Sequence, residues 1–250
     1  MGFTEIDELD CNCDLNRAIR TLNYAVDAWK NLCGPIEKYE KCALKCSGME
    51  KVSGANAKHI LCGVMVSVCT DKELCEKDKF CAEFKFLEEK PWLVLGPKLK
   101  KWDGLTECLP KWIEAYLDSV DKIDPIMYQL EDLPDEIPRA IESAPGEFAD
   151  LPTMKKAKAC AQAIKAGKQA KDLLQELKKS AEQLKKAAGE MKEALEQCKK
   201  DQESGKFFEH GETCRTAGCV SIKDCYEKIY GPIPKGEKKA GEDAGCCTIF

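Results

Sequence analysis

Apolar residues recur every three or four positions along most of this chain, which is the spacing of one buried face of an α-helix. The first such stretch runs from Asp14 to Cys33, and Gly34-Pro35 is predicted to end it. Pro35 suits the first turn of a second helix, which the pattern carries to Gly48. The alternation with a period of two that is typical of strands is scarce. The pattern therefore predicts an all-α fold.

Further helical patterns follow in the first half of the chain. Residues 56–69 are almost continuously apolar and are predicted to form a buried helix. Residues 70–73 have the composition of a capping box, which would open another helix. Residues 102–123 carry one more apolar stripe, in which Pro110 is predicted to mark the start of regular helix. Together these patterns predict a cysteine-rich helical bundle over residues 1–124.

A connector is predicted over residues 125–152. Its prolines recur too often for a long helix, whereas its apolar residues are too frequent for a free linker. We therefore expect short helical turns that pack along the bundle. The prolines are Pro125, Pro134, Pro138, Pro145 and Pro152.

The most regular apolar spacing lies in residues 153–204, where Thr153 supplies an N-cap and Gly205 a stop. A helix of about 50 residues would be roughly 75 Å long at a rise of 1.5 Å per residue. Its small and aliphatic residues are typical of a coiled-coil seam, which we expect to pack against a partner helix or a second copy of the chain. The seam residues are Ala170, Leu174, Leu177, Ala181, Leu184, Ala188, Met191 and Leu195.

The charge distribution is uneven. The net charge of −5 over 250 residues argues against a nucleic-acid binder. Residues 154–200 contain 13 lysines and 6 acidic residues, a local charge of +7, which leaves −12 on the rest of the chain. This excess favours an acidic neighbour, which would be the N-terminal bundle, a partner protein or an anionic membrane surface. A solvated lysine-rich face is the alternative.

The chain contains 17 cysteines. In an oxidising compartment this density would indicate a disulfide framework, and in a reducing compartment buried cysteines act as small apolar side chains. The start of the chain lacks the features of a secretory signal, so we favour thiols that fill the core. The cysteines on the apolar stripes are Cys33, Cys42, Cys46, Cys108, Cys160 and Cys198.

The best candidate for a metal site is the set His210, Cys214, Cys219 and Cys225, because zinc takes imidazole and thiolate ligands. Their spacings are longer than those of paired zinc knuckles, and we predict no metal. His59 and Cys62 are close enough in sequence to pair, although a coincidence of spacing explains them as well. Phosphate loops, nucleophile elbows and dinucleotide fingerprints are absent from the sequence, so we predict no enzyme and no cofactor.

The last four residues fit the C-a-a-X pattern that prenyltransferases recognise. Cys247 would carry the prenyl group, and Cys246 is a candidate for palmitoylation. Residues 205–245 are predicted to be a short cysteine-containing segment that ends in a flexible Gly/Pro-rich tether, with the lipidated tail at residues 246–250. The competing explanation is chance, because cysteines are frequent throughout this chain.

These observations lead to three hypotheses. The first is a non-enzymatic peripheral-membrane scaffold or adaptor on the cytoplasmic face of a membrane, which uses the long helix for protein assembly. The second is a structural component of a cytoskeletal or ciliary array. The third is a secreted helical protein held together by disulfides.

Overall fold

The computed structural model describes residues 3–70 and 105–235, and in these ranges it contains seven helices and no strand. The predicted all-α fold with one helix of about 50 residues is therefore confirmed. The coiled-coil character of that helix and the N-terminal bundle stay predictions. The helices are α1 (Asp14–Cys46), α2 (Ala57–Val68), α3 (Leu105–Gln129), α4 (Leu133–Glu147), α5 (Thr153–Glu203), α6 (Lys206–Thr216) and α7 (Ile222–Tyr230).

Helix α1 does not end at Gly34-Pro35, as the sequence predicted, but continues through Pro35 to Cys46. Proline inside a helix removes one backbone hydrogen bond and costs about 3 kcal/mol. Burial of the neighbouring side chains offsets that cost, because Leu32 and Ile36, one turn apart, are both buried and Ile36 is fully so. Two predicted helices are therefore one helix of 33 residues.

Prolines are also tolerated in the predicted connector. Helix α3 continues through Pro125 to Gln129, and α4 then forms one helix of 15 residues instead of short turns. Pro134 lies in the first turn of α4, where its missing N–H removes no helical bond. Pro138 and Pro145 lie inside the helix. The buried side chains that hold α4 in place are Leu133, Ile137, Ala140 and Ala144.

The described residues fall into two compact units. Unit 1 contains residues 3–33 and 119–185, and unit 2 contains residues 34–70, 105–118 and 186–235. Both units are discontinuous in sequence, because α1, α3 and α5 each contribute residues to both. The sequential domain boundaries stay a prediction. The capping box predicted at residues 70–73 lies largely outside the described residues.

In unit 1, the segment before α1 is held along that helix by two asparagine side chains. The Asn23 amide accepts from the Ile6 N–H and donates to the Ile6 carbonyl, both at 2.9 Å. The Asn16 amide accepts from Leu9 N–H at 2.8 Å and donates to the Cys11 carbonyl at 3.1 Å. An amide that donates and accepts satisfies backbone groups that have no partner in a regular element. Phe3 adds an edge contact to Trp29, 6.1 Å between ring centroids.

The core of unit 1 forms where the small residues of α5 meet apolar side chains of α1 and α4. Gly167 lies against Ile141 of α4 so closely that a Cβ atom would be 2.5 Å from Ile141 Cγ1. Leu15 of α1 is the next nearest neighbour, at 3.8 Å. The closely approached face of α5 continues through Ala163, Ala166 and Ala170, all of which are buried. Small side chains on this face therefore permit close helix packing.

In unit 2, α2 packs on α6 and α7 at backbone contact distance. Nearly all of α2 is buried, as expected of a helix that is apolar on every side. A Cβ atom at Gly63 of α2 would lie 2.8 Å from the Ile222 carbonyl oxygen of α7. A Cβ atom at Gly211 of α6 would overlap the Cys69 carbonyl group and lie 2.6 Å from Cys69 Cβ. Gly63 and Gly211 thus permit the short distances from α2 to α7 and from α2 to α6.

Several cysteines predicted to be core thiols form disulfides instead. Cys42 of α1 and Cys108 of α3 are bonded, with their Cα atoms 5.8 Å apart, and Cys33 is also disulfide-bonded. The Cys42–Cys108 separation falls in the usual disulfide range because the two helices bring these positions together. Cys11 and Cys13 form a further disulfide with Cα atoms 5.3 Å apart. The side chain of Cys198 lies outside the described residues.

Cys46 and Cys160 are half-buried thiols. For these two residues the structure agrees with the prediction of a reduced cysteine beside the core.

Gly211→Ala is expected to destabilise the protein by about 1–3 kcal/mol, because its methyl group must displace the backbone at Cys69. Gly189→Ala is the matched control. Gly189 lies inside α5 with open space around its Cβ position, so the substitution should stabilise the helix by about 0.5–1 kcal/mol. Urea unfolding followed by circular dichroism measures both changes. Equal effects of the two substitutions would contradict the close α2–α6 contact.

Candidate functional site

Three cysteine sulfurs of unit 2 lie within 4.8 Å of one another. Cys214 lies in the last turn of α6, Cys219 in the loop that follows, and Cys225 in the first turn of α7. Cys214 and Cys225 are buried, and Cys219 is half-buried. We call these three residues the thiol cluster. The described residues contain no other group of histidine, cysteine or acidic side chains with this proximity.

The loop after α6 brings Cys219 next to Cys214. Gly218 adopts φ = 71°, the left-handed conformation that glycine adopts without steric cost. The Gly218 N–H then donates to the Arg215 carbonyl at 3.1 Å, and the Cys219 N–H donates to the Cys214 carbonyl at 3.0 Å. This pair of bonds is a Schellman motif, in which the residue after the glycine contacts the residue five positions before it. Here both residues in that contact are cysteines.

The start of α7 places the third thiol. The Ser221 hydroxyl accepts from the Asp224 N–H at 3.0 Å and so caps the helix. The Cys225 N–H donates to the Ser221 carbonyl at 3.0 Å, which closes the first turn. The Cys214 thiol donates to the Cys225 carbonyl, with 3.6 Å from sulfur to oxygen. The Cys219 thiol donates to the Asp224 carbonyl at 3.8 Å.

Two of the three thiols, Cys214 and Cys225, are protonated at neutral pH in the absence of a cation. Burial, followed by the neighbouring cysteines, raises the pKa of Cys214 to about 12. Burial, followed by Cys219, raises the pKa of Cys225 to about 11. A thiol with a raised pKa is a poor nucleophile, because the thiolate is the reactive form. The arrangement suits the collective binding of a soft cation better than cysteine catalysis.

His210 does not belong to the thiol cluster, although the sequence suggested it as a fourth ligand. Its ring packs edge-on against Tyr230 and Phe207, with centroids 5.8 and 6.5 Å away. Burial lowers the pKa of His210, and Asp201 and Glu209 oppose this effect. The structure therefore brings together three of the four residues suggested by the sequence.

His59 has a structural role at the start of α2. Its Nδ1 accepts from the Asn56 N–H at 3.0 Å, and the Asn56 side chain accepts from the Lys58 and His59 N–H groups at 3.1 and 3.4 Å. This arrangement is a capping box with histidine at its third helical position. The ring is buried edge-on against Tyr226, 4.9 Å between centroids, and burial lowers its pKa to about 4. In a neutral ring whose Nδ1 accepts from the Asn56 N–H, the proton is on Nε2, so neither nitrogen is available to accept a proton from a cysteine.

The predicted seam of α5 is already covered within the single chain. All of its described side chains are buried, so they offer no free surface to a second helix. Assembly through the seam stays a prediction without an exposed surface to support it. The covered residues are Ala170, Leu174, Leu177, Ala181, Leu184, Ala188 and Met191; the side chain of Leu195 lies outside the described residues.

The exposed part of α5 begins with a strongly basic stretch. Residues 153–171 contain six lysines and no acidic residue, a local excess that the average over residues 154–200 concealed. An exposed face opposite the buried alanines, with successive spacings of four, seven and three positions, is formed by Met154, Lys158, Lys165 and Lys168. Met154 is 88% exposed. We call this surface the basic face.

The proposed lipidation sites Cys246 and Cys247 lie outside the described residues. Within the ranges that are described, no helix has an apolar stretch long enough to span a bilayer.

Comparisons with protein-family models, with curated proteins and with solved structures find no match for this chain. The features of the described residues that bear on function are the thiol cluster, the basic face and the cysteine pairing.

His59→Gln should remove one source of acid sensitivity. The unfolded imidazole has a pKa near 6.5 and the folded one about 4, so the unfolded state binds the extra proton between these values and the wild type loses stability as pH falls through that window. Glutamine keeps an oxygen that accepts from the Asn56 N–H but does not titrate. Urea midpoints measured from pH 7 to pH 4 should show the wild type losing stability relative to His59→Gln.

Glu40 has the opposite effect on the pH dependence of stability: burial raises its pKa to about 7, so its contribution to folding becomes more favourable as pH falls. It is present in both proteins and cancels in the difference between them. Parallel pH profiles of the wild type and His59→Gln would show that His59 titrates normally in the folded state.

Proposed function

We propose that the protein is a non-enzymatic, peripheral-membrane adaptor whose basic face binds anionic lipid headgroups. The observation that carries this proposal is the six-lysine stretch at the start of α5, in which Lys158, Lys165 and Lys168 share an exposed face with a methionine that is 88% exposed. The occupant is a membrane surface that contains anionic lipid.

The charge at the start of α5, beside the basic face, supports an anionic occupant. The first turn of α5 has no acidic residue, and Lys155 and Lys156 lie close to its N-terminus. Cations there are unfavourable, because they lie beside the positive end of the helix dipole. An anionic surface would neutralise both the lysines and the dipole. Each basic residue near such a membrane contributes about 1 kcal/mol of attraction.

Exposed apolar side chains support a lipid occupant over a soluble anion. Met154 is 88% exposed, Ile164 is 47% exposed, and Leu151, just before α5, is 40% exposed. An apolar side chain among lysines is typical of helices that insert their apolar residues at the headgroup boundary. Acidic residues recur on α5 from Asp172 onwards, so the attraction is concentrated in its first third.

The C-terminal pattern would supply the second attachment. A single prenyl chain on Cys247 anchors a protein only marginally, so stable attachment needs another signal. The basic face would provide that signal, and a palmitoyl group on Cys246 would add to it. An adaptor or scaffold role would then use surfaces other than the seam, because the seam is covered.

A triple variant with glutamine in place of Lys158, Lys165 and Lys168 should bind vesicles about 100-fold more weakly, because about 3 kcal/mol of electrostatic attraction is lost. Co-sedimentation of the purified, unlipidated chain with a two-to-one mixture of phosphatidylcholine and phosphatidylserine measures this change. Binding should weaken as salt is added and be weak to pure phosphatidylcholine.

The matched control changes Lys51, Lys122 and Lys228 to glutamine, which removes the same charge from exposed positions elsewhere. This variant should bind like the wild type. Equal losses in the two triple variants, or equal binding to both kinds of vesicle, would reject the basic face as the membrane-binding surface.

The disulfides favour a second candidate function, a disulfide-stabilised structural protein of an oxidising compartment. Cys42 and Cys108 are 66 positions apart in sequence, and joining residues so distant constrains the unfolded chain by about 4 kcal/mol in the chain-entropy account. Structural disulfides are rare where prenylation occurs. The second candidate therefore excludes the lipid tail but not binding through the basic face.

The intact mass of the protein from its natural source distinguishes the two candidates. The first predicts a prenyl group on Cys247, loss of residues 248–250, and free or acylated thiols at the other 16 of the 17 cysteines. The second predicts an unlipidated chain in which alkylation without reductant finds fewer than 17 thiols, since Cys42 and Cys108 are bonded. An unlipidated chain with 17 thiols would contradict both candidates.

A further inference from the structure

We propose that Cys214, Cys219 and Cys225 bind one thiophilic cation of the Zn²⁺ type through three thiolates, with a fourth position open to water or an external ligand. This inference does not depend on the proposed membrane function. It reverses the sequence-based prediction of no metal and replaces the four-residue set with a three-residue one.

The distances in the thiol cluster fit such an ion. With zinc–sulfur bonds of about 2.3 Å, sulfur atoms in tetrahedral or trigonal geometry lie about 3.8–4.0 Å apart. The three sulfurs already lie within 4.8 Å of one another. Binding requires a contraction of less than about 1 Å. Cys219 lies in a loop between two helices, where a movement of this size disturbs little of the core.

The chemistry of the donors selects the kind of cation. The cluster offers three sulfur atoms and no carboxylate, whereas calcium and magnesium take oxygen ligands. On binding, three S–H protons leave to solvent and three metal–sulfur bonds form, so a dication with three thiolates carries one net negative charge. The present contacts of Cys214 and Cys219 are long sulfur-to-carbonyl hydrogen bonds of 3.6 and 3.8 Å, which are weak and easily replaced.

The backbone around the cluster is organised without the ion. The Schellman motif holds Cys219 beside Cys214 through a backbone hydrogen bond. The Ser221 cap fixes the first turn of α7, which contains Cys225. The two helices that supply Cys214 and Cys225 both pack on α2, at Gly211 and Gly63. A preformed site loses little conformational freedom on binding, which favours affinity.

The half-buried position of Cys219 leaves one side of the cluster accessible. Structural zinc sites usually have four protein ligands, and sites with three leave a position for exchange. A site of this kind allows the ion to enter and leave the folded protein. We therefore expect reversible metal binding rather than a metal that the fold requires.

Zinc titration of the full chain tests the proposal, using protein isolated without reductant or chelator and kept anaerobic. After gel filtration, elemental analysis should find one zinc per chain. Cys219→Ser should weaken zinc binding at least tenfold in competition with a chromophoric chelator. The matched control Cys160→Ser, a half-buried thiol outside the cluster, should bind zinc like the wild type. Cobalt should give a thiolate-to-metal charge-transfer band that Cys219→Ser weakens.

Alkylation of the wild-type chain provides a test that does not depend on the folding of a variant. Zinc should slow iodoacetamide modification of Cys219 at least tenfold and leave Cys160 unaffected. Unchanged modification of Cys219, equal losses in the two serine variants, or retention of no zinc would overturn the proposal. A disulfide between any two of the three cysteines in the isolated protein would also overturn it.

Discussion

The close packing of α2 on α6 and α7 is the constraint on which the best-defined site of the molecule depends. Gly63 and Gly211 allow backbone groups of neighbouring helices to meet where any side chain would overlap the opposing chain. Apolar burial supplies the attraction, and the absence of two Cβ atoms sets the distance. The loop between α6 and α7 is short and closed by its own hydrogen bonds, so the positions of its cysteines follow from that packing. A helix contact thus holds three thiols close together without a covalent bond between their sulfur atoms.

The spacing of apolar residues predicted the all-α fold, the buried helix at residues 56–69 and the long helix from Thr153, because such patterns report burial of one face. The apolar spacing gave wrong helix boundaries at Pro35 and in the 125–152 segment. Proline costs a helix one backbone hydrogen bond, and tertiary packing determines whether that free energy is recovered. Ile36 is fully buried beside Pro35, and α4 has four buried residues among its prolines. Neither fact is visible in the local sequence. The sharing of α1, α3 and α5 between two units is equally non-local.

The candidate sites show the same limit of local information. The spacing of Cys214, Cys219 and Cys225 suggested a cation site, and Gly218 before Cys219 is the local signal that a Schellman turn closes it. Spacing alone made His210 a candidate fourth ligand, but its ring packs against Tyr230. The pairing of Cys42 with Cys108 joins positions distant in sequence, and no spacing rule indicates it. The basic face could have been found by counting charges over shorter windows, because the six lysines lie within 19 consecutive residues.

The thiol cluster has an odd number of members, and this parity has a chemical consequence. Disulfide formation consumes cysteines two at a time, so oxidation within the cluster always leaves one thiol behind. Which thiol remains would depend on geometry, and the remaining sulfur could exchange with the bond beside it. The half-buried Cys219 is the member that an external thiol reaches first. Oxidation could convert every thiol of a four-cysteine cluster into a disulfide, whereas a cluster of three always keeps one thiol.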